Sequence, residues 1–75
     1  MAKLPVVSGK TLVAALKKAG FEEVRQKGSH IALQKITSDK TYRTIIPLHR
    51  ELAKGTLRDI IKQAGLSKEE LAKLL

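Results

Sequence analysis

The sequence predicts an α+β domain of order α-β-β-β-α, built on a three-stranded antiparallel sheet and closed by a short extra C-terminal helix. Two observations carry that expectation. Apolar residues recur at helical spacing in two stretches that each stop at a glycine, and three short β-rich runs divided by turn residues lie between them.

The first helix starts at Ser8, whose hydroxyl can accept from the free N–H groups of the first turn. Leu12, Val13, Leu16 and Ala19 form its apolar stripe, and Gly20 supplies the stop. Phe21 to Gln26, Ser29 to Ile36 and Thr41 to Pro47 read as strands. Lys27-Gly28 divides the first pair, and the polar run Thr37-Ser38-Asp39-Lys40 the second. After a polar link from Leu48 to Lys54, Leu57, Ile60, Ile61 and Ala64 mark a second helix that ends at Gly65. Ser67-Lys68-Glu69-Glu70 has the spacing of a capping box and opens the terminal helix through Leu71, Leu74 and Leu75. Nothing repeats internally and no long linker divides the chain, so residues 1–75 are expected to form one domain.

Composition narrows the class of partner. Fifteen Lys and Arg against seven acids give a formal net charge of +8, an excess that an anionic partner such as nucleic acid offsets. There is no cysteine, which excludes disulfide staples and thiolate zinc sites. No apolar run approaches the ~20 residues needed to span a bilayer. Met1-Ala2-Lys3 leads into Leu4-Pro5-Val6-Val7, too short a stretch for a signal-peptide core, and a reducing, cytoplasmic setting is expected. The acids Glu22, Glu23, Asp39, Glu51, Asp59, Glu69 and Glu70 are scattered without ligand spacing, so no metal is expected. Ser8-Gly9-Lys10-Thr11 shares the end of a phosphate-binding loop, but Leu4 stands where its first glycine belongs, and the segment reads as a helix cap.

Both helices must bury their stripes on one sheet face, which leaves the other face free for function. With Lys27-Gly28 as a two-residue turn, Gln26 pairs with Ser29, Arg25 with His30 and Val24 with Ile31. Alternation then sends Val24, Ile31 and Leu33 toward the helices and Arg25, His30 and Ala32 away from them. A cation beside an imidazole favours its neutral, proton-accepting form. RNA carries its own nucleophile in the 2′-hydroxyl, so cleavage needs only removal of that proton, protonation of the leaving oxygen and positive charge near the phosphate. His30 is the candidate for proton transfer. Arg25, Lys27 and, near the first helix N-terminus, Lys10 are candidates for phosphate contact, with Ser29 as the neighbouring turn residue of an RNA-binding set. Ser29 and His30 are adjacent strand residues and project to opposite faces, which argues against a Ser-His nucleophile pair. His49 is a second imidazole with either a proton-transfer role or none. Lys54, Arg58 and Lys62 recur every four residues opposite the second helix's stripe, a ridge able to track a phosphate backbone.

These segments together carry a resemblance: Ser8-Gly9-Lys10, Ala19-Gly20-Phe21, Arg25-Gln26-Lys27-Gly28-Ser29-His30, Pro47-Leu48-His49, and Lys54-Gly55-Thr56-Leu57-Arg58 with Ile61-Lys62-Gln63-Ala64-Gly65-Leu66. In this order, over nearly the whole chain, they resemble the HicA (YcfA-like) toxin family. The resemblance implies a double-stranded-RNA-binding-domain-like fold. It further implies a messenger-RNA endonuclease that needs neither ribosome nor metal nor other cofactor, and neutralisation by a HicB-type antitoxin. The family's catalytic histidine falls on His30. Many relatives have another histidine directly after the motif, where this chain has Ile31. The alternative is a non-catalytic RNA-binding module of the same fold, which would be indifferent to loss of His30. A domain that serves chiefly an acidic protein partner would bind RNA only weakly.

Overall fold

The structure is a computed structural model that describes residues 4–75. Met1 to Lys3, which open the run read as too short for a signal peptide, lie outside the described residues. The elements are α1 (Gly9–Lys18), β1 (Glu22–Lys27), β2 (His30–Ile36), β3 (Thr41–Pro47), α2 (Lys54–Gln63) and α3 (Lys68–Leu74). The strands form one antiparallel sheet in the order β1-β2-β3. This is the predicted α+β arrangement, with the open sheet and C-terminal helix of a double-stranded-RNA-binding-domain-like fold.

Local signals set most of these boundaries. The Ser8 hydroxyl accepts from the Thr11 N–H at 3.0 Å, so the Ser8-Gly9-Lys10-Thr11 segment is a helix cap. Both α1 and α2 close in the same way. The N–H of Gly20 donates to the Lys17 carbonyl and that of Phe21 to the Leu16 carbonyl; Gly65 and Leu66 repeat the pattern on Lys62 and Ile61. At α3 the capping box is complete, with Glu70 N–H donating to Ser67 Oγ at 3.0 Å and Ser67 N–H donating to Glu70 Oε1 at 2.9 Å.

The core lies between the helices and one face of the sheet. Leu12 and Leu16 of α1, Leu33 of β2, Ile46 of β3, Leu57 of α2 and Leu71 of α3 are its most deeply buried side chains. Thr44, the one buried polar residue among those described, donates its hydroxyl to Gln63 Oε1 at 2.8 Å and so ties the middle of β3 to the end of α2. Tyr42 packs beside Gly65, so α2 runs antiparallel to β3 and places its N-terminus at the Pro47 end of the sheet.

The α3 cap gives the fold a defined acid response. The backbone N–H of Ser67, then its hydroxyl, hold the Glu70 carboxyl below the usual carboxylate range. A group whose folded pKa is depressed contributes stability above its unfolded pKa, and that contribution is lost as pH falls through the lower folded value. The first turn of α3 is therefore expected to loosen as pH falls below the ordinary carboxylate value of 4.5 and through the lower folded value of Glu70. Amide exchange at Leu71 followed against pH checks this, and Glu70→Ala, which removes the acceptor of the Ser67 N–H, should show the looser turn already at neutral pH.

Candidate functional site

The sheet face turned away from the helices carries His30. Ile31 and Leu33 point into the core, so their neighbours His30, Ala32 and Gln34 take the opposite face. On β3 the buried Thr44 and Ile46 likewise leave Arg43, Ile45 and Pro47 on that open face. The open face thus consists of cross-strand rungs. Lys27, His30 and Pro47 form the first; Arg25, Ala32 and Ile45 the second; Glu22, Gln34 and Arg43 the third.

The hairpin register differs from the sequence expectation. The turn is Gly28-Ser29 and not Lys27-Gly28, and His30 pairs with Lys27 in place of Arg25. Gly28 has φ +58, and no non-glycine residue among those described has positive φ. A Gly at the first central position with an ordinary residue at the second is the pattern of a type II′ hairpin turn. Centring the turn on Lys27-Gly28 would instead use a lysine where the glycine's freedom is needed. The register moves by two residues, so Arg25 keeps the open face that alternation gives it, now opposite Ala32.

Val24 takes the consequence of that shift. The ladder is irregular between Glu23 and Arg25, Val24 drops out of it, and its side chain is 52% exposed instead of packed beneath the helices. Glu23 takes the place opposite Leu33, and its carboxylate meets Lys17 of α1 at 3.6 Å.

Arg25, Lys27, His30, Ala32 and Ile45 line one shallow depression on the open face. All of β1 is solvent-exposed, as is the His30 side chain. One imidazole and two cations therefore share a surface open to a polymer. Ser29 sits in the turn beside them and accepts the Leu48 N–H at 2.7 Å on its carbonyl, which ties the turn to the chain leaving β3.

The other sequence candidates divide between two places. Gly9 N–H donates to the His49 carbonyl at 2.9 Å, and a Cβ on Gly9 would overlap the Pro47 carbonyl oxygen. This close approach brings the first turn of α1, with exposed Lys10, against the strand end that pairs with His30. The N-termini of both helices, and with them Lys54, consequently lie at the His30 end of the sheet. Arg58 and Lys62 recede along the exposed side of α2, on the far side of the sheet from His30. His49 is exposed, two residues beyond the partner of His30, with its backbone pinned by Gly9. Ile31 is 8% exposed and faces the core, so a histidine at that position in this chain would not share the surface of His30.

Pro47, Ala32 and Ile45 also belong to the site, although sequence reasoning does not single them out as site residues. The signal is present in the alternation of β3, since a buried Thr44 and Ile46 require Ile45 and Pro47 on the open side. Neither aromatic residue reaches this surface. Phe21 is buried, and Tyr42 faces the helices beside Gly65. Among the described residues, no group of three or more His, Cys, Asp or Glu side chains gathers that could hold a metal ion, and no helix is long and apolar enough to cross a membrane.

Compared with models of known families, residues 9–66 match the one described as the HicA toxin of bacterial toxin-antitoxin systems. No curated protein matches the chain. The matched region begins at the first residue of α1 and ends just after α2, so it contains the whole sheet and the hairpin that carries His30.

Proposed function

The chain belongs to the HicA toxin family of toxin-antitoxin systems, and from that membership we propose that it is a metal-independent endoribonuclease, an mRNA interferase, with His30 in proton transfer. The observation that carries this reading is the placement of His30 with Lys27 and Arg25 on one exposed sheet face. His30 takes the proton of a 2′-hydroxyl, the freed oxygen attacks the adjacent phosphorus, and the bond to the 5′-oxygen breaks. The products are a cyclic phosphate and a 5′-hydroxyl, with solvent protonating the leaving oxygen at this open surface. Lys27, directly across from His30, and Arg25, one rung away, offset the charge that develops on the phosphate. Ser29 and Lys10 border the same end of the sheet and extend the RNA contact.

DNA lacks the attacking group. A substrate with a single 2′-deoxy nucleotide at the mapped cleavage position is expected to bind as well as RNA and to resist cleavage there. Cutting of the deoxy position would overturn the mechanism.

A HicB-type antitoxin neutralises this activity by covering the basic open face, which blocks RNA entry and answers the excess positive charge together. Antitoxin variants that inhibit while leaving His30 accessible would contradict this steric account.

The ridge of Lys54, Arg58 and Lys62 favours a second, subsidiary role in phosphate tracking, because it lies along the exposed side of α2. Replacing all three with alanine is expected to weaken RNA binding across sequences and to flatten its salt dependence by about 0.7 in slope for each phosphate that is no longer neutralised. An unchanged salt slope would assign the ridge to solvation alone.

A further inference from the structure

The open face continues past His30. A second depression adjoins the first, shares its Arg25, Ala32 and Ile45, runs on to Gln34 and Arg43, and reaches Val24 of β1 and the Thr44-Gln63 contact between β3 and α2. Its floor is apolar, since Ala32 and Ile45 pair across the sheet and Ile45 is 59% exposed. Arginines stand on both sides of that floor, Arg25 in the same rung and Arg43 in the next. The Arg43 Nε–H donates to Gln34 Oε1 at 2.8 Å, which fixes the guanidinium plane over the face. That bond leaves the two terminal amino groups of Arg43 and the amide N–H groups of Gln34 free to donate outward.

We propose that this second depression is a nucleotide subsite that sets where the RNA lies relative to His30, an inference that rests on the endoribonuclease reading above. A nucleobase lies on the aliphatic Ala32-Ile45 floor, the phosphate beyond it is held by Arg43, and the Gln34 amide donates to an acceptor on the base edge. Same-face rungs repeat about every 7 Å along antiparallel strands, close to the step between phosphates in an extended single strand. Arg25 and Arg43 stand one rung apart on opposite edge strands, so their backbones lie roughly 12 Å from each other. Their long side chains reach inward across that gap, Arg25 to the scissile phosphate beside His30 and Arg43 to a neighbouring one. Charge complementarity selects the occupant, because Arg25 and Arg43 flank the apolar floor while the nearest acid of the face, Glu22, stands beyond Gln34 on the edge strand and lines neither depression. With no aromatic ring on the face, the subsite holds a base by shape and by one amide, and its preference is correspondingly loose.

The test uses the purified protein and a short single-stranded RNA with one cleavage position, shortened one nucleotide at a time from either end. Arg43→Ala and Ile45→Ser are compared with wild type, with circular dichroism confirming that both variants fold. Both substitutions are expected to raise KM about tenfold, the scale of removing one charged hydrogen bond or apolar seat, with a smaller change in kcat. Removing the nucleotide that occupies the subsite should raise the wild-type KM by a similar factor, and on that shortened RNA Arg43→Ala should have no further effect. A variant KM equal to wild type, or equal effects on every shortened RNA, would overturn the subsite while leaving His30-dependent cleavage intact. Variants that cut normally but no longer bind the antitoxin would overturn it too, and would assign the depression to a protein partner. If wild type and His30→Ala are alike in cutting nothing, the endoribonuclease reading itself falls.

Discussion

Replacing His30 with alanine is expected to lower RNA cleavage by at least ~10²-fold, the lower range for removing a positioned proton-transfer group. It should also abolish growth arrest in cells. Stability should change by no more than ~0.5 kcal/mol, because the side chain is exposed on the open face and contributes nothing to the core. RNA affinity should fall much less than turnover, since Lys27 and Arg25 remain in the same depression. This split between binding and turnover separates a toxin from an RNA-binding module. Equal toxicity of the variant and the wild type would remove His30 from the mechanism.

Gly9→Ala is the substitution expected to cost most in folding. The added methyl would overlap the Pro47 carbonyl oxygen and stand 2.9 Å from Leu48 Cα, and both obstacles are backbone. Relief requires α1 to move off the end of β3, which breaks the bond from Gly9 N–H to the His49 carbonyl. Overpacking of this kind costs ~3 kcal/mol, enough to lower Tm by ~15 °C in a domain of this size. Cleavage should fall with it, because Pro47 is the cross-strand partner of His30. Gly55→Ala is the control, as nothing lies within 4 Å of its added methyl, and it should be neutral or stabilising in a helix. Urea unfolding of the two variants checks the contrast. A Gly9→Ala protein as stable as wild type would show that this close approach does not position the site.

Most of the fold is legible in the sequence because its signals are local. Ser8, Ser67 and Glu70 announce two helix starts, Gly20 and Gly65 two helix ends, and the apolar stripes of α1 and α2 name the faces they bury. The start of α2 is less legible. It begins at Lys54, inside the stretch that reads as a link, because its N-cap is Ala53, which makes no side-chain capping bond.

The hairpin register is the main feature that the sequence conceals, and the cause is specific. Lys27-Gly28 and Gly28-Ser29 both suit a two-residue turn on composition, and only the sign of φ at each position decides between them. The bulge at Val24 is hidden for a different reason. A valine in a strand pattern reads as a core residue, and only the pairing of Glu23 with Leu33 reveals that it has left the ladder. The site is insensitive to both differences because a two-residue shift preserves the face, so Arg25, Lys27 and His30 still meet on one surface. Its apolar floor follows from alternation along β2 and β3, whereas the clamp at Gly9 depends on a contact between distant segments that no local pattern in the sequence records.

The central claim is that His30 drives metal-free cleavage of RNA, and one comparison tests it most directly. Purified wild type and a folded His30→Ala variant are incubated with an end-labelled messenger RNA in EDTA. Discrete cleavage by the wild type alone is the predicted result. Cleavage by both proteins would place the activity on another residue or in a contaminant, and binding by both without cleavage would contradict the claim in favour of an RNA-binding module.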